Sequence, residues 1–402
     1  MKILIANPGS TSYKCKLYDV PAMTVLFEAS VDRIGEKEGA YTHAFAGGPP
    51  VTEQRPASDY RAAVSMVLAT MGERHPASSV AAVGFKTVLA RGVTGCVELT
   101  PAVLQAMEDY RLLAPVHTDV YVTAIRVFQS VLPSTPLVGL FETHFHAQIP
   151  PEAYLYGIPY ELYEKHGVRK YGFHGASHRY IALRAKQLFG VTRVISCHLG
   201  GSSSVCAIRD GHSVDTSMGM SPQSGLLNAK RVGDLDAYAL LYIMEREGLS
   251  VDAAVKLLQS RGGIFGISGT SGDFRDIEAA MAKGDTRARL AFDTFAYGVK
   301  RYIGEYMAVL NGAECIVFTA GAGQKGIRLR KKILEHMDRI GIVLDDQKNN
   351  ANPAEGLISA DGSPVAIAVI PANEEYIVAG EVRGFLERRQ PRGDASGDRA
   401  KP

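Results

Sequence analysis

The opening eighteen residues constrain this chain more than any other stretch. An apolar run, Ile3-Leu4-Ile5-Ala6, breaks at Asn7-Pro8-Gly9-Ser10-Thr11-Ser12 and resumes as Tyr13-Lys14-Cys15-Lys16-Leu17-Tyr18. Short apolar runs bounded by turn residues predict two strands joined by a turn. Backbone N–H groups, hydroxyls and the nearby Lys14 can all face one anion there, so the turn is a candidate phosphate cradle. The same residue types also build ordinary hairpins, and this segment alone leaves both readings open. The design recurs, however. Val194-Ile195-Ser196-Cys197-His198-Leu199 ends in Gly200-Gly201-Ser202-Ser203-Ser204 and continues as Val205-Cys206-Ala207-Ile208. One cradle in each half implies two related domains facing each other across a cleft.

At 402 residues the chain exceeds what a single core usually supports, which agrees with two domains. Helical patterns over 59–73 and 101–113 alternate with strands in the first part, as expected of an α/β fold. Longer helical patterns follow over 236–247 and 286–310. A further strand, Cys315-Ile316-Val317-Phe318-Thr319, then runs into Ala320-Gly321-Ala322-Gly323-Gln324-Lys325-Gly326. The tail from Arg388 onward is charged and rich in Gly and Pro, and is expected to be disordered.

The net charge of +2 gives no electrostatic reason to expect nucleic acid. The five cysteines have no CxxC spacing, and their odd number argues against a complete disulfide framework. The chain enters a strand at once, without a signal-peptide pattern, and no apolar run approaches a membrane span. A cytoplasmic protein with no membrane partner is the expectation.

Gly321, Gly323 and Gly326 spell GxGxxG after a strand, which is the dinucleotide fingerprint, but that fingerprint belongs in the first βα unit of its domain and here comes late. The Walker pattern GxxxxGK[ST] is absent, so an ATP site would need another architecture. His144, His146, His174, His178 and His198 have residue types that bind zinc. Without a CxxC or HExxH element, hydrogen-bonding or transition-state roles are the preferred reading. Asp234 and Asp236 near Arg231, and Asp273 and Asp276 beside Arg275, read either as solvated charge or as ligand contacts. The glycines around them, Gly225, Gly233, Gly266, Gly269 and Gly272, mark places where backbone approaches something closely.

Together these residues resemble the acetate kinase family, of the superfamily that includes sugar kinases, actin and the heat-shock chaperone ATPases. The most specific stretch runs from Ala153-Tyr154-Leu155-Tyr156 through Pro159-Tyr160-Glu161-Leu162-Tyr163 to Tyr171-Gly172-Phe173-His174-Gly175-Ala176-Ser177-His178. Further matches are Asp215-Thr216-Ser217-Met218-Gly219-Met220, Gly266-Ile267-Ser268-Gly269, Asp273-Phe274-Arg275-Asp276 and Pro371-Ala372-Asn373-Glu374-Glu375. The resemblance implies two ribonuclease-H-like (actin-like) α/β domains facing each other across a nucleotide-binding cleft. Residues 1–146 with 378–402 would form one domain, and 147–377 the other. It also implies a homodimer that transfers phosphate from ATP to acetate, giving acetyl phosphate and ADP, with Mg²⁺ or Mn²⁺.

Carried over by position, the resemblance gives Asn7 and Glu374 to the metal and Ser10, Ser12 and Lys14 to the first phosphate turn. Arg231 would bind the transferring phosphoryl group, His174 would stabilise its charge, and Glu142 would stand with them as catalytic. His198, Gly200, Gly201 and Ser202 would form the second phosphate turn. Asp273, Phe274, Arg275, Gly321, Ala322 and Gly323 would hold the nucleotide. Val88, Val116, Phe173 and Pro222 would line the acyl pocket, with Lys86 beside the substrate. Phosphoryl transfer asks for such residues because it needs in-line positioning and neutralisation of the equatorial oxygens rather than covalent help. The acceptor carboxylate is already ionised, so no strong base is required.

The chain departs from the family pattern at several ligand positions. Glu142 stands for Asp, Phe85-Lys86 for His-Arg, Gly201-Ser202 for Asn-Gly, and Gln324-Lys325 for Glu-Asn. Lys86 lacks the bidentate fork of an arginine, and Arg91 lies five residues on as a possible substitute. Pro8 and Thr11 look like the first turn of butyrate kinases. A propionate or butyrate kinase and a catalytically degenerate nucleotide binder therefore stand as alternatives, with an NAD-dependent enzyme behind them.

Overall fold

The computed structural model describes residues 1–389. The last helix runs through Arg388 and Arg389, where the charged tail was expected to begin, and the rest of that tail lies outside the described residues.

Two sheets organise the chain. The first contains β1 (Lys2–Pro8), β2 (Ser12–Asp19), β3 (Thr24–Asp32), β4 (Ala40–Phe45), β5 (Val51–Gln54), β6 (Val80–Thr87), β7 (Cys96–Glu98) and β8 (Leu137–Phe141), in the order β5-β4-β3-β2-β1-β6-β8-β7. The second contains β9 (Arg193–Leu199), β10 (Ser203–Arg209), β11 (His212–Thr216), β12 (Cys315–Thr319), β13 (Gly356–Leu357) and β14 (Ala366–Val369), in the order β11-β10-β9-β12-β14-β13.

The sheets share one plan. β1, β2 and β3 form an antiparallel meander, and β1 then pairs in parallel with β6, which pairs in parallel with β8. β9, β10 and β11 repeat the meander, and β9, β12 and β14 repeat the parallel run. Strands such as β8, Leu-Val-Gly-Leu-Phe, and β12, Cys-Ile-Val-Phe-Thr, are buried along their whole length, as expected where helices cover both faces. The recurring strand–turn–strand motif thus marks the same corner of two related sheets.

Asp59, Asp236 and Asp285 cap the predicted helices Tyr60–Gly72, Ala237–Glu247 and Thr286–Val309, each carboxylate accepting from a first-turn amide. The pattern over 101–113 divides into helix Pro101–Asp109 and a 3₁₀ turn, Arg111–Leu113. The break falls at Tyr110, whose amide turns back to Met107 while its hydroxyl meets that of Tyr171 at 3.1 Å. The last helix, Glu374–Arg389, leaves the second sheet and returns to the first. There Ile377, Val378, Ala379 and Val382 join a core with Ile3, Ile5, Ala82 and Val138.

Candidate active site

The ends of the parallel strands meet around a cavity of about 560 Å³. Asn7 lies near the C-terminal end of β1, Lys86 near that of β6, and Glu142 directly after β8, all bordering this space. His198 comes from the end of β9, and Glu374 from the first turn of the last helix, Glu374–Arg389. Ligands of open α/β sheets bind outside the carboxyl ends of the strands, because loops there can vary without disturbing the sheet. Ser10, Arg231, His174, Val88, Val116, Phe173 and Pro222, also predicted, border the same cavity.

Lys86 joins the carboxylates. Its Nζ lies 2.5 Å from Glu374 Oε2 and 3.6 Å from Glu142 Oε1. Burial alone would depress its pKa, but the two carboxylates more than offset this and hold the ammonium charged. One cation cannot fully neutralise two acids. Glu374 takes the close contact and stays ionised, while burial pushes Glu142 up to about 7, with its Oε1 left without a hydrogen-bond partner. Arg91 is exposed and does not border the cavity, so it does not share the work of Lys86.

Arg231 hangs from a loop stitched to the second phosphate turn. Asn228 Oδ1 accepts the Ser203 amide at 2.6 Å, and the Ala229 amide bonds the Gly201 carbonyl at 3.0 Å. Gly233, at φ 75°, leaves no room for a Cβ beside the Leu227 amide. What this glycine approaches is neighbouring backbone rather than a ligand. The Arg231 guanidinium donates to the Pro222 carbonyl at 3.1 Å, and burial lowers its pKa to about 10, which leaves it charged at neutral pH.

His174 sits in the left-handed region, φ 56° and ψ 28°, at the N-cap of helix Gly175–Phe189. A non-glycine residue there stores strain that its surroundings must hold. They do: the next residue, Gly175, is pressed against the Glu142 carbonyl with no space for a side chain, and the Phe173 carbonyl accepts His146 Nε2 at 2.9 Å. The strained turn carries the His174 ring to the cavity wall, next to His198.

A second cavity, about 620 Å³, opens beside the second phosphate turn. Gly200 and Gly201 form one edge, Gly321 and Ala322 another, and Asp273, Phe274 and Arg275 a third. Asp273 caps helix Phe274–Ala282 and pairs with Arg275 at 2.6 Å. Gly321, Ala322 and Gly323 lie in the short helix Ala320–Lys325, which begins at once after β12. Arg330, fully buried, donates to the carbonyls of Gly323 and Gln324 and to Asn349 Oδ1, fixing the far end of that helix.

Three predicted residues stand apart from both cavities. Gly323 is buried on the inner side of helix Ala320–Lys325. Ser12 closes the first turn through its carbonyl, which accepts the Gly9 amide and the Tyr60 hydroxyl. Lys14 is exposed and borders a separate cavity on the face of the first sheet, with Lys16, Glu28 and Glu375. Conversely, sequence reasoning missed His117 and Tyr121 on the main cavity and Lys230 on the second cavity. Tyr121 donates to Asn7 Oδ1 at 3.4 Å. No short-range motif marks these residues; they arrive through helix packing. Among the described residues no group of three or more His, Cys, Asp or Glu has the arrangement to hold a metal ion.

Two sheets of matching topology, with the strand–turn–strand corner of each bordering one cavity, define the two-domain actin-like class. The chain belongs to the acetokinase family, whose model matches residues 2–380. It is 40% identical over 396 residues to the acetate kinase of Natranaerobius thermophilus, covering 96% of this chain and 100% of that protein. The Porphyromonas gingivalis acetate kinase crystal structure superposes with a TM-score of 0.84 at 34% identity, covering 96% of this chain and 99% of that one. A Francisella tularensis propionate kinase gives 0.87 at 32% identity, covering 94% and 98%.

Proposed function

We propose that this chain is an ATP-dependent acetate kinase acting by direct in-line transfer. The observation that carries the reading is the convergence of Arg231, His174 and Lys86 on one cavity with a small apolar wall of Val88, Phe173 and Pro222. In this reading the acceptor carboxylate lies against Arg231 and Lys86, with its methyl group on that wall. Arg231 and His174 then offset the charge that spreads over the equatorial oxygens. The nucleotide occupies the second cavity, with Lys230 and Lys325 beside its phosphates.

The residues at the metal position fit Mg²⁺. The Glu374 carboxylate and the Asn7 amide oxygen are hard donors, and a Mg²⁺ shared with substrate phosphates needs only one or two protein ligands. Held by Asn7 and Glu374, such an ion would supply positive charge to offset that of the phosphates. We assign residues 1–146 with the chain from 378 onward to one domain and 147–377 to the other, closing over the ligands to exclude water, which competes as acceptor.

Val116 is 59% exposed, so the acyl wall is open on one side, which supports propionate as a second acceptor. Trapping acyl phosphate with hydroxylamine, from acetate, propionate and butyrate with ATP and Mg²⁺, tests the reading, with Arg231→Ala as control. Product that vanishes in the control supports it. ATP binding with no product from any acid overturns it in favour of a degenerate binder.

No helix among the described residues is long and apolar enough to cross a membrane, and a cytoplasmic homodimer is our assignment. Its support is helix Ala237–Glu247, where no residue is buried and Tyr238, Leu241 and Tyr242 are mostly exposed. A patch of this kind marks a contact surface.

A further inference from the structure

We propose that Ser196, His178 and Ser204 form a positioning relay that presents His174 to the cleft as a neutral Nε2–H donor. The inference rests on the kinase reading for its consequence, but not for its geometry.

Three contacts define the relay. Ser196 Oγ lies 2.8 Å from His178 Nδ1, and His178 Nε2 lies 2.8 Å from Ser204 Oγ. Ser204 Oγ in turn lies 2.8 Å from His174 Nδ1. All three relay residues have no exposed surface. The remaining ring nitrogen of His174, Nε2, makes no hydrogen bond among the described residues, and the ring borders the main cavity.

Two directions of donation satisfy the inner contacts. In one, Ser196 donates to His178, His178 Nε2–H donates to Ser204, and Ser204 donates to His174 Nδ1. This leaves the His174 proton on Nε2, facing the cleft. In the reverse direction His174 carries its proton on Nδ1, and Ser196 becomes an acceptor. The hydroxyl proton of Ser196 would then have nowhere to go, because among the described residues His178 is the only side-chain or backbone partner its Oγ has. A buried donor without an acceptor is disfavoured by a factor of roughly ten or more. The outermost serine therefore sets the tautomer of the innermost histidine.

The electrostatics agree. Burial, reinforced by the neighbouring imidazoles, holds His174 and His178 well below their usual pKa, so both rings are neutral and each carries one proton. His198 repeats the device. Its Nδ1 lies 2.8 Å from Ser177 Oγ, a buried hydroxyl with no other partner among the described residues, which leaves His198 Nε2–H for the cleft. His146 shows the same logic where the answer is forced: its Nε2 faces the Phe173 carbonyl, which can only accept, so its Nδ1 accepts from Ser213 at 2.8 Å.

The test is the tautomeric state read by NMR of the full chain labelled with ¹⁵N in histidine, with His174 assigned by the signal lost in His174→Gln. The relay predicts the Nε2–H form of both His174 and His178. The Nδ1–H form of His174 would overturn it. Ser196→Ala removes the bias, so the Nδ1–H form of His174 should rise to a comparable share and kcat should fall about twofold at unchanged KM, since half the molecules then present a bare nitrogen. Ser196→Thr, which keeps the hydroxyl, should restore both. A Ser196→Ala protein whose tautomers match the parent also refutes the relay, whatever its activity. The two readings fail separately: unchanged activity in His174→Gln would count against the kinase mechanism while leaving the relay intact.

Discussion

The imidazoles of His174 and His198 lie stacked, with ring centres 4.2 Å apart and planes 19° from parallel. Each is tied to a serine hydroxyl through Nδ1, so the stack offers two fixed donors rather than two mobile side chains. Preorganised donors cost no reorganisation when charge develops, which is where such groups have most effect. Replacing His174 by Gln is expected to lower kcat by about 10²- to 10³-fold with little change in KM for ATP, measured by the hydroxamate assay. A loss confined to KM would mean that His174 binds the ground state only.

Lys86 is the only cation in contact with either buried acid, Glu142 or Glu374, among the described ion pairs. Lys86→Met should destabilise the free protein by about 3–5 kcal/mol, because it leaves buried charge uncompensated. Urea unfolding checks this. Adding Glu142→Gln should recover part of the loss by removing one of the two acids.

Gly175 has no room for a methyl group, since its Cβ would enter the Glu142 backbone carbonyl. Gly175→Ala must displace either the His174 turn or the residue after β8. Activity should fall at least tenfold, with a lowered Tm, measured by hydroxamate formation and calorimetry.

Stability should fall on acidification. Burial lowers the His146 pKa to about 4, and His178 and His174 are also held low. Between the unfolded value near 6.5 and these folded values, the unfolded chain takes up protons that the folded one refuses. Each such histidine therefore removes up to about 1.4 kcal/mol per pH unit as pH falls through that window. Glu142 acts in the opposite sense between about 7 and its unfolded value, and offsets roughly one histidine. Urea midpoints from pH 7 to 4.5 should decline, and more gently in His146→Phe.

The proposed dimer surface gives a last prediction. Leu241→Glu combined with Tyr242→Glu should shift the protein to a monomer by light scattering, and the pair lies outside both cavities.

Much of this architecture was legible before the fold was known, for a local reason. The turns at Asn7–Ser12 and His198–Ser202 are written in consecutive residues, and Asp59, Asp236 and Asp285 announce helices that begin one residue later. Segments read one by one gave a less reliable guide to direction. Lys14 alternates to the open face of β2, and Gly323 turns inward on its helix, so membership of a motif did not bring either to the main or the second cavity.

Strand period, turn chemistry and caps are properties of neighbouring residues, and the sequence by itself determined two repeated α/β units, their paired cradles and the residue types of the site. Which groups share a proton or a charge is decided by residues far apart in the chain. Lys86 reaches Glu374 across 288 positions, and Ser196 reaches His174 only through His178 and Ser204. Only the tertiary structure could bring those groups within hydrogen-bonding distance and remove the water that would otherwise separate them, because Coulomb and hydrogen-bond energies act through space and strengthen with burial.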